Sequence, residues 1–235
     1  GMAATAKKAS RIAAEGLVDI MTIDNVTAIV EVNSETDFVA KNAIFQAFVK
    51  DVAEIILEKN PADVEALLAC EMEGAANVEE YLKSQIAVIG ENMTIRRFER
   101  MEGTIATYNH DNGRIGVMTL IDAPANDEVA AMGKNLCMHI AMYAPKYVAT
   151  ENVPAEVVDH EREVLKVQAM NEGKPEAIAE KMVLGRIKKF YEENCLLEQA
   201  FIKDDSKKVC ELVKSGNTSI NKFAFFIMGE GLEKK

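Results

Sequence analysis

The chain lacks the features that would tie it to a membrane. It contains no run of about 18 apolar residues, the length needed to cross a bilayer, and its start carries no signal-peptide pattern. It also lacks both Gly-rich phosphate cradles, GxxxxGK(S/T) and GxGxxG, so it is expected to bind no nucleotide of its own. Basic charge is in short supply: 27 Lys and Arg stand against 38 Asp and Glu, for a net charge of -11. Such a balance gives no footprint for nucleic acid or an anionic lipid surface, and it suits a protein-binding protein as well as a soluble enzyme. Cys70, Cys137, Cys195 and Cys210 are widely spaced with no CxxC pair. That is the pattern of free thiols in a reducing, cytoplasmic setting rather than of a disulfide framework or zinc site. With three histidines and no spaced Cys or Asp cluster, no metal or other cofactor is expected. Catalytic pairs are missing too. Cys137 and His139 lie two residues apart on an expected helix, about 200° apart around its axis, too divergent for a nucleophile and its base. His139 reads as a core or boundary residue of that apolar helix, and His160 among charged neighbours as solvated surface.

What is present is a repeat. At 235 residues, 49% of them hydrophobic, the chain can bury a sizeable core. Glu15-Gly16 recurs as Glu102-Gly103, and the same offset carries Asp24-Asn25 onto Asp111-Asn112. Each Glu-Gly opens a run that reads as a strand, each Asp-Asn marks a turn, and a second strand follows. The strands are expected at about residues 17–23 and 27–33, then 104–110 and 114–121. A helix comes next in each copy, at about 37–58 and 126–143, and a third strand returns at about 95–101 and 223–228. Further helices fill the space before each third strand, at 61–73 and 78–89 in the first copy. In the second copy Pro154 and Pro175 each open a long helix, and the polar turn 171–174 joins them. Val157, Val158, Val164, Leu165 and Val167 are expected to face Ile178, Met182, Val183, Ile187 and Phe190 across this hairpin, making a short coiled coil.

The expected fold is therefore α+β, with two duplicated subdomains. Each is a three-stranded antiparallel sheet made of a hairpin and a returning strand, covered by helices, and a helical coiled-coil hairpin is inserted in the second. The boundaries expected are 1–14 for a linker or helix remnant, 15–101 for the first subdomain, 102–153 with 199–235 for the second, and 154–198 for the coiled coil.

One stretch stands apart. Glu31 to Asn42 reads EVNSETDFVAKN, where a strand alternating at Val30 and Val32 gives way to a helix with Thr36 placed as its N-cap. Taken as residues alone, Asp37 favours the helix dipole and Phe38 staples helix to sheet. His110 likewise reads as an ordinary turn residue, Gly90 as the left-handed cap of its helix, and Arg96 and Arg97 as outer-face and edge residues of the third strand. Yet the EVNSETDFVAKN string, with IGENMTIRR from Ile89 to Arg97, GKPEAIAEKMVLGRIKKF from Gly173 to Phe190 and GEGLE from Gly229 to Glu233, resembles the elongation factor Ts family in content and order. The opening GMAATAKKASRIAAEGL resembles that family's linker into its core, and the family's small N-terminal helical domain is expected to precede residue 1.

The resemblance implies a guanine nucleotide exchange factor that binds elongation factor Tu carrying GDP and promotes GDP release, without covalent catalysis. It implies that Thr36, Asp37, Phe38 and Val39 form a wedge presented to the GTPase. It also implies that Ile89, Gly90, Glu91 and Asn92 form a corner against the partner's nucleotide domain, and that His110 touches the partner. A second copy of the chain, joined through the core or the coiled coil, is a further candidate partner; nucleic acid and membrane are not. Two other readings stay open: a partner-binding or assembly module with little exchange activity because the N-terminal domain is absent, and an unrelated small-molecule enzyme on the same core. The chain departs from the family pattern at Tyr143-Ala144, Leu184, Ala200 and Asp205, none of them in the Asp-Phe motif.

Overall fold

Both repeats close around a tight hairpin whose turn residues accept left-handed backbone. The computed structural model describes residues 6–234. Strands β1 (Glu15–Ile23) and β2 (Val26–Ser34) pair from Glu15 opposite Ser34 to Ile23 opposite Val26, turning at Asp24 with φ 55°. Strands β4 (Thr104–His110) and β5 (Ile115–Asp122) pair in the same sense around Asp111, Asn112 and Gly113, all at positive φ. Asp, Asn and Gly are the residues that tolerate this region at least cost. The third strands, β3 (Met93–Glu102) and β8 (Ser219–Ile227), return beside β2 and β5, giving two antiparallel sheets ordered β1-β2-β3 and β4-β5-β8. Both begin earlier than the apolar pattern indicated.

Helices cover the outer face of each sheet. In the first unit these are α1 (Asp37–Ala40), α2 (Ala43–Lys59), α3 (Val64–Ala69) and α4 (Val78–Ile89). The single helix expected over 37–58 is thus two, because Asn42 takes an extended conformation and its side chain accepts from the N–H groups of Ile44 and Phe45. The helix expected over 61–73 shrinks to the α3 turn and a half, since Gly74 at φ 89° folds the chain back into a Met72–Ala75 bridge. In the second unit α5 (Asp127–Tyr143) is capped by Asn126, whose side chain accepts from Val129 N–H. Next come the antiparallel pair α6 (Ala155–Asn171) and α7 (Glu176–Asn194). A two-stranded ribbon of β6 (Ala200–Phe201) and β7 (Asp204–Lys208) and the short α8 (Val209–Ser215) follow, and the sequence pattern signalled none of these three. Of the segment 1–14, residues 1–5 lie outside the described residues, and residues 6–8 form a helical turn.

Three apolar clusters stack in line. Val30, Val32, Phe45, Phe48, Val52 and Ile56 lie between the first sheet and its helices, and Val117, Leu136, Ile140 and Val213 lie between the second sheet and its own. Val18, Ile29, Met118 and Phe226 form a third cluster where the two sheets meet. The sheets come so close that a Cβ on Gly116 would sit 2.6 Å from Val18 Cγ1, so only glycine fits there. Strand β2 is thus covered on both faces, and its polar residues Glu31 and Asn33 are as buried as its valines.

The α6–α7 seam differs from expectation. Val158, Val183 and Ile187 are buried in it, but Val164, Val167 and Ile178 are 37%, 48% and 49% exposed. Their place is taken by Ala169 and Ala179, both fully buried, which bring the helices together near the connecting turn.

Candidate functional site

The most exposed large apolar side chain among the described residues is Phe38, at 79%. It projects from α1, a single helical turn set between the end of β2 and the start of α2. Its neighbours Val39 and Ala40 are buried, so the turn is anchored on one side and offers Asp37 and Phe38 on the other.

What holds this turn is not the expected cap. Thr36 occupies the N-cap position with extended backbone but makes no side-chain cap bond. Its hydroxyl donates instead to Glu91 Oε2 at 2.7 Å, while the N–H groups of Glu35 and Thr36 donate to Glu91 Oε1 at 3.1 and 3.0 Å. The contact is returned: Asn92 N–H donates to Glu35 Oε1 at 2.7 Å, and the Asn92 amide donates to Arg11 O. Arg11 also pairs with Glu35 at 3.6 Å. Gly90 makes this geometry available by ending α4 in the left-handed region at φ 85°, which turns Glu91 back toward β2. The four-residue corner and the Asp-Phe turn, far apart in sequence, are therefore one cluster. Glu91 and Asn92 face inward, and Gly90 and the neighbouring Val88 are exposed.

His110 ends β4, an edge strand, on the second sheet. The Tyr108 hydroxyl lies 2.8 Å from its Nδ1, which leaves Nε2 as the ring nitrogen not engaged within the described residues. The hairpin turn beyond it is fastened to the first sheet. Val18 N–H donates to Gly113 O, the Asn109 amide donates to Val18 O, and Asn109 Oδ1 accepts from Gly113 N–H. A cleft of about 540 Å³ separates the two regions, with Asp37, Ala40 and Lys41 on one wall and Asp111, Asn112 and Arg114 on the other. The fold thus brings the Asp-Phe turn and the His110 hairpin to the two sides of one opening.

A second polar cluster, which the sequence reading missed, lies deeper. Glu31 is fully buried between the sheets; its carboxylate accepts from Arg97 Nε at 2.6 Å, Gly229 N–H at 2.7 Å, the Asn33 amide at 2.9 Å and Arg96 Nη1 at 3.3 Å. Burial pushes this carboxyl up, but the Gly229 N–H, the Asn33 amide and Arg97 outweigh it and hold the group below its ordinary range. Arg96 and Arg97 are consecutive, and side chains of consecutive strand residues normally point apart. A β-bulge resolves this: Glu31 pairs with Arg97 and Val32 with Ile95, leaving Arg96 as the extra residue, free to swing to the same carboxylate. Arg96 also donates to Glu230 O, and Arg97 donates to Ile227 O and lies 4.3 Å over the Phe226 ring. The pair expected as surface and edge residues is instead a clamp on the turn that follows β8.

Across 35–230, a span that includes the Asp37–Phe38 turn, Glu91, Arg96, Arg97 and Gly229, the chain matches the family model described as Elongation factor TS. The chain belongs to the elongation factor Ts family. The match covers the strands and helices from α1 to β8, which include the whole second sheet and, of the first, strand β3. Cys137 and His139 have no joint chemistry: Cys137 lies against the Thr119 hydroxyl, and His139 against Gln199. Burial pushes the Cys137 thiol up to about 12 and holds His139 below its ordinary value. Among the described residues no group of three or more His, Cys, Asp or Glu could hold a metal ion, and no helix is long and apolar enough to cross a membrane.

Proposed function

We propose that this chain is a nucleotide exchange factor for elongation factor Tu, that it works in the cytoplasm, and that it acts through Asp37 and Phe38. Family membership supports the partner and the reaction class. The observation that carries the site is the 79% exposure of Phe38 on a turn held from behind by Glu91 and Val39. An aromatic ring left in water on a braced support is disfavoured unless a partner covers it, and covering it contributes about 2–3 kcal/mol. No covalent bond changes. The factor binds the nucleotide-free GTPase more tightly than the GDP-bound form, so by reciprocity its binding weakens the hold on GDP. Phe38 supplies that difference by entering between packed elements of the GTPase, an opening that the GDP-bound arrangement resists. His110, next to the turn whose Asp111 and Asn112 line the far wall of the cleft, contacts the partner through Nε2 and sets the angle of entry, while Ile89 and Gly90 lie against its nucleotide domain.

Release of fluorescent GDP from purified elongation factor Tu tests this directly. The full chain is expected to accelerate release, and Phe38→Ala to lower the second-order acceleration about 30- to 150-fold, the equivalent of the burial lost, with the melting temperature nearly unchanged. Undiminished release by a folded Phe38→Ala chain would rule out the wedge.

A further inference from the structure

We propose that Glu91 is the positioning residue of the Asp37–Phe38 turn, acting as a hydrogen-bond acceptor within its own chain and not as a charged contact for a partner. The proposal rests on the exchange reading above. Helix α1 is four residues long, far below the length at which helical hydrogen bonds sustain themselves, and the usual cap bond at Thr36 is absent. Its entry is fixed by one carboxylate, which takes the N–H groups of Glu35 and Thr36 on Oε1 and the Thr36 hydroxyl on Oε2. Glu35 answers by accepting from Asn92 N–H, so residues 35–36 and 91–92 hold each other in both directions. The latch sits where β2 ends and β3 begins, Ser34 being paired with Met93, and it therefore carries the rigidity of the sheet out to Phe38. With three donors from its own chain on it, the carboxylate has its principal acceptor positions filled before any partner arrives.

This assignment makes a distinctive demand on substitutions. A glutamine at the position reproduces the whole pattern: its carbonyl oxygen accepts from both N–H groups, and its amide donates to the Thr36 hydroxyl. Alanine reproduces none of it. A residue recognised by a partner for its charge would show the opposite, with glutamine as damaging as alanine.

The test uses the full chain, with two readouts on Glu91→Ala, Glu91→Gln and Phe38→Ala: hydrogen exchange at the Glu35 and Thr36 amides, and the plateau rate of fluorescent GDP release from elongation factor Tu. Glu91→Ala is expected to speed exchange at both amides and to lower the plateau rate, each about tenfold, from the loss of charge-assisted bonds at a part-buried site. Glu91→Gln recovers most of both. Amides that stay protected in Glu91→Ala overturn the proposal. So does a Glu91→Gln chain that keeps its amide protection but releases GDP as poorly as Glu91→Ala. Normal release by Glu91→Ala alongside impaired release by Phe38→Ala overturns it as well. If neither Glu91→Ala nor Phe38→Ala alters release while the Glu91→Ala amides lose protection, the exchange reading falls and the latch stands.

Discussion

Phe38 and His139 show how differently two conspicuous side chains on helices can be used. Phe38 stands out in solvent, whereas His139 is fully enclosed, with both ring nitrogens committed: Ile202 N–H donates to Nδ1 at 3.2 Å and Nε2 faces Gln199 Oε1 at 2.8 Å. The acceptor role of Nδ1 requires the neutral ring, and burial holds the folded value below the ordinary one. The sign follows: the unfolded chain takes up the proton first as pH falls, so this contribution is complete above about pH 6.5 and is lost below it. Urea melts between pH 5 and 8 should show stability falling on the acid side, and His139→Leu should remove that dependence while costing about 1–3 kcal/mol at pH 8 by orphaning the Ile202 N–H. His139 was legible as a core or boundary residue from its apolar helix, whereas Phe38 taken alone read as a staple of helix to sheet, and only the family resemblance turned it outward, where the structure has it. Glu31 and Glu91 were not legible. An acid on an alternating strand or after a helix cap looks solvated until the residues that meet it, Gly229 and Arg97 or Thr36, are brought in from elsewhere in the chain.

At the scale of elements, the punctuation was easier to read than the packing. Asn77 and Asn126 accept from N–H groups in the first turn of the helix that follows, and the hairpin turns carry the Asp, Asn and Gly that left-handed backbone favours; the Asn42 cap was passed over, because the apolar pattern runs through it. The coiled-coil seam was misread because alanine leaves no mark in an apolar pattern, while Val164, Val167 and Ile178 do. Close approach at Ala169 and Ala179 leaves no room for a larger side chain. Ala169→Leu should destabilise the α6–α7 hairpin by about 1–3 kcal/mol through overpacking, and Val167→Asp, on a half-exposed position, should cost under about 0.5 kcal/mol. Hydrogen exchange along α6 and α7 measures both, and the reverse order would show that the helices pair through the valines.

For the whole molecule, the duplicated halves are joined by burial of a charge as much as by apolar contact. The sequence showed the duplication through repeated turns, but it could not show that the two sheets meet face to face, since that depends on Gly116 admitting Val18 and on Arg96 being set free by a bulge. Glu31 is held ionised, so its contribution is present above the ordinary carboxyl range and is lost as pH falls through the lowered folded value. Glu31→Gln should cost about 2 kcal/mol at pH 7, less than a fully enclosed ion pair because Arg96 and Arg97 are 22% and 30% exposed, and it should shallow the acid limb of the stability curve. Thermal melts from pH 3 to 7 on both chains make the comparison.

The same clamp has a consequence for how the chain is made. Strand β3 closes the first sheet before any of the second has been synthesised, but β5 waits for β8, which follows the coiled-coil hairpin, the ribbon and α8. Gly229, the backbone donor to Glu31, comes later still. On the ribosome the first half can therefore assemble with its buried carboxylate still open to water, and the halves lock only once Gly229 has left the exit tunnel. Translation that stops short of Gly229 leaves that carboxylate without its Gly229 donor.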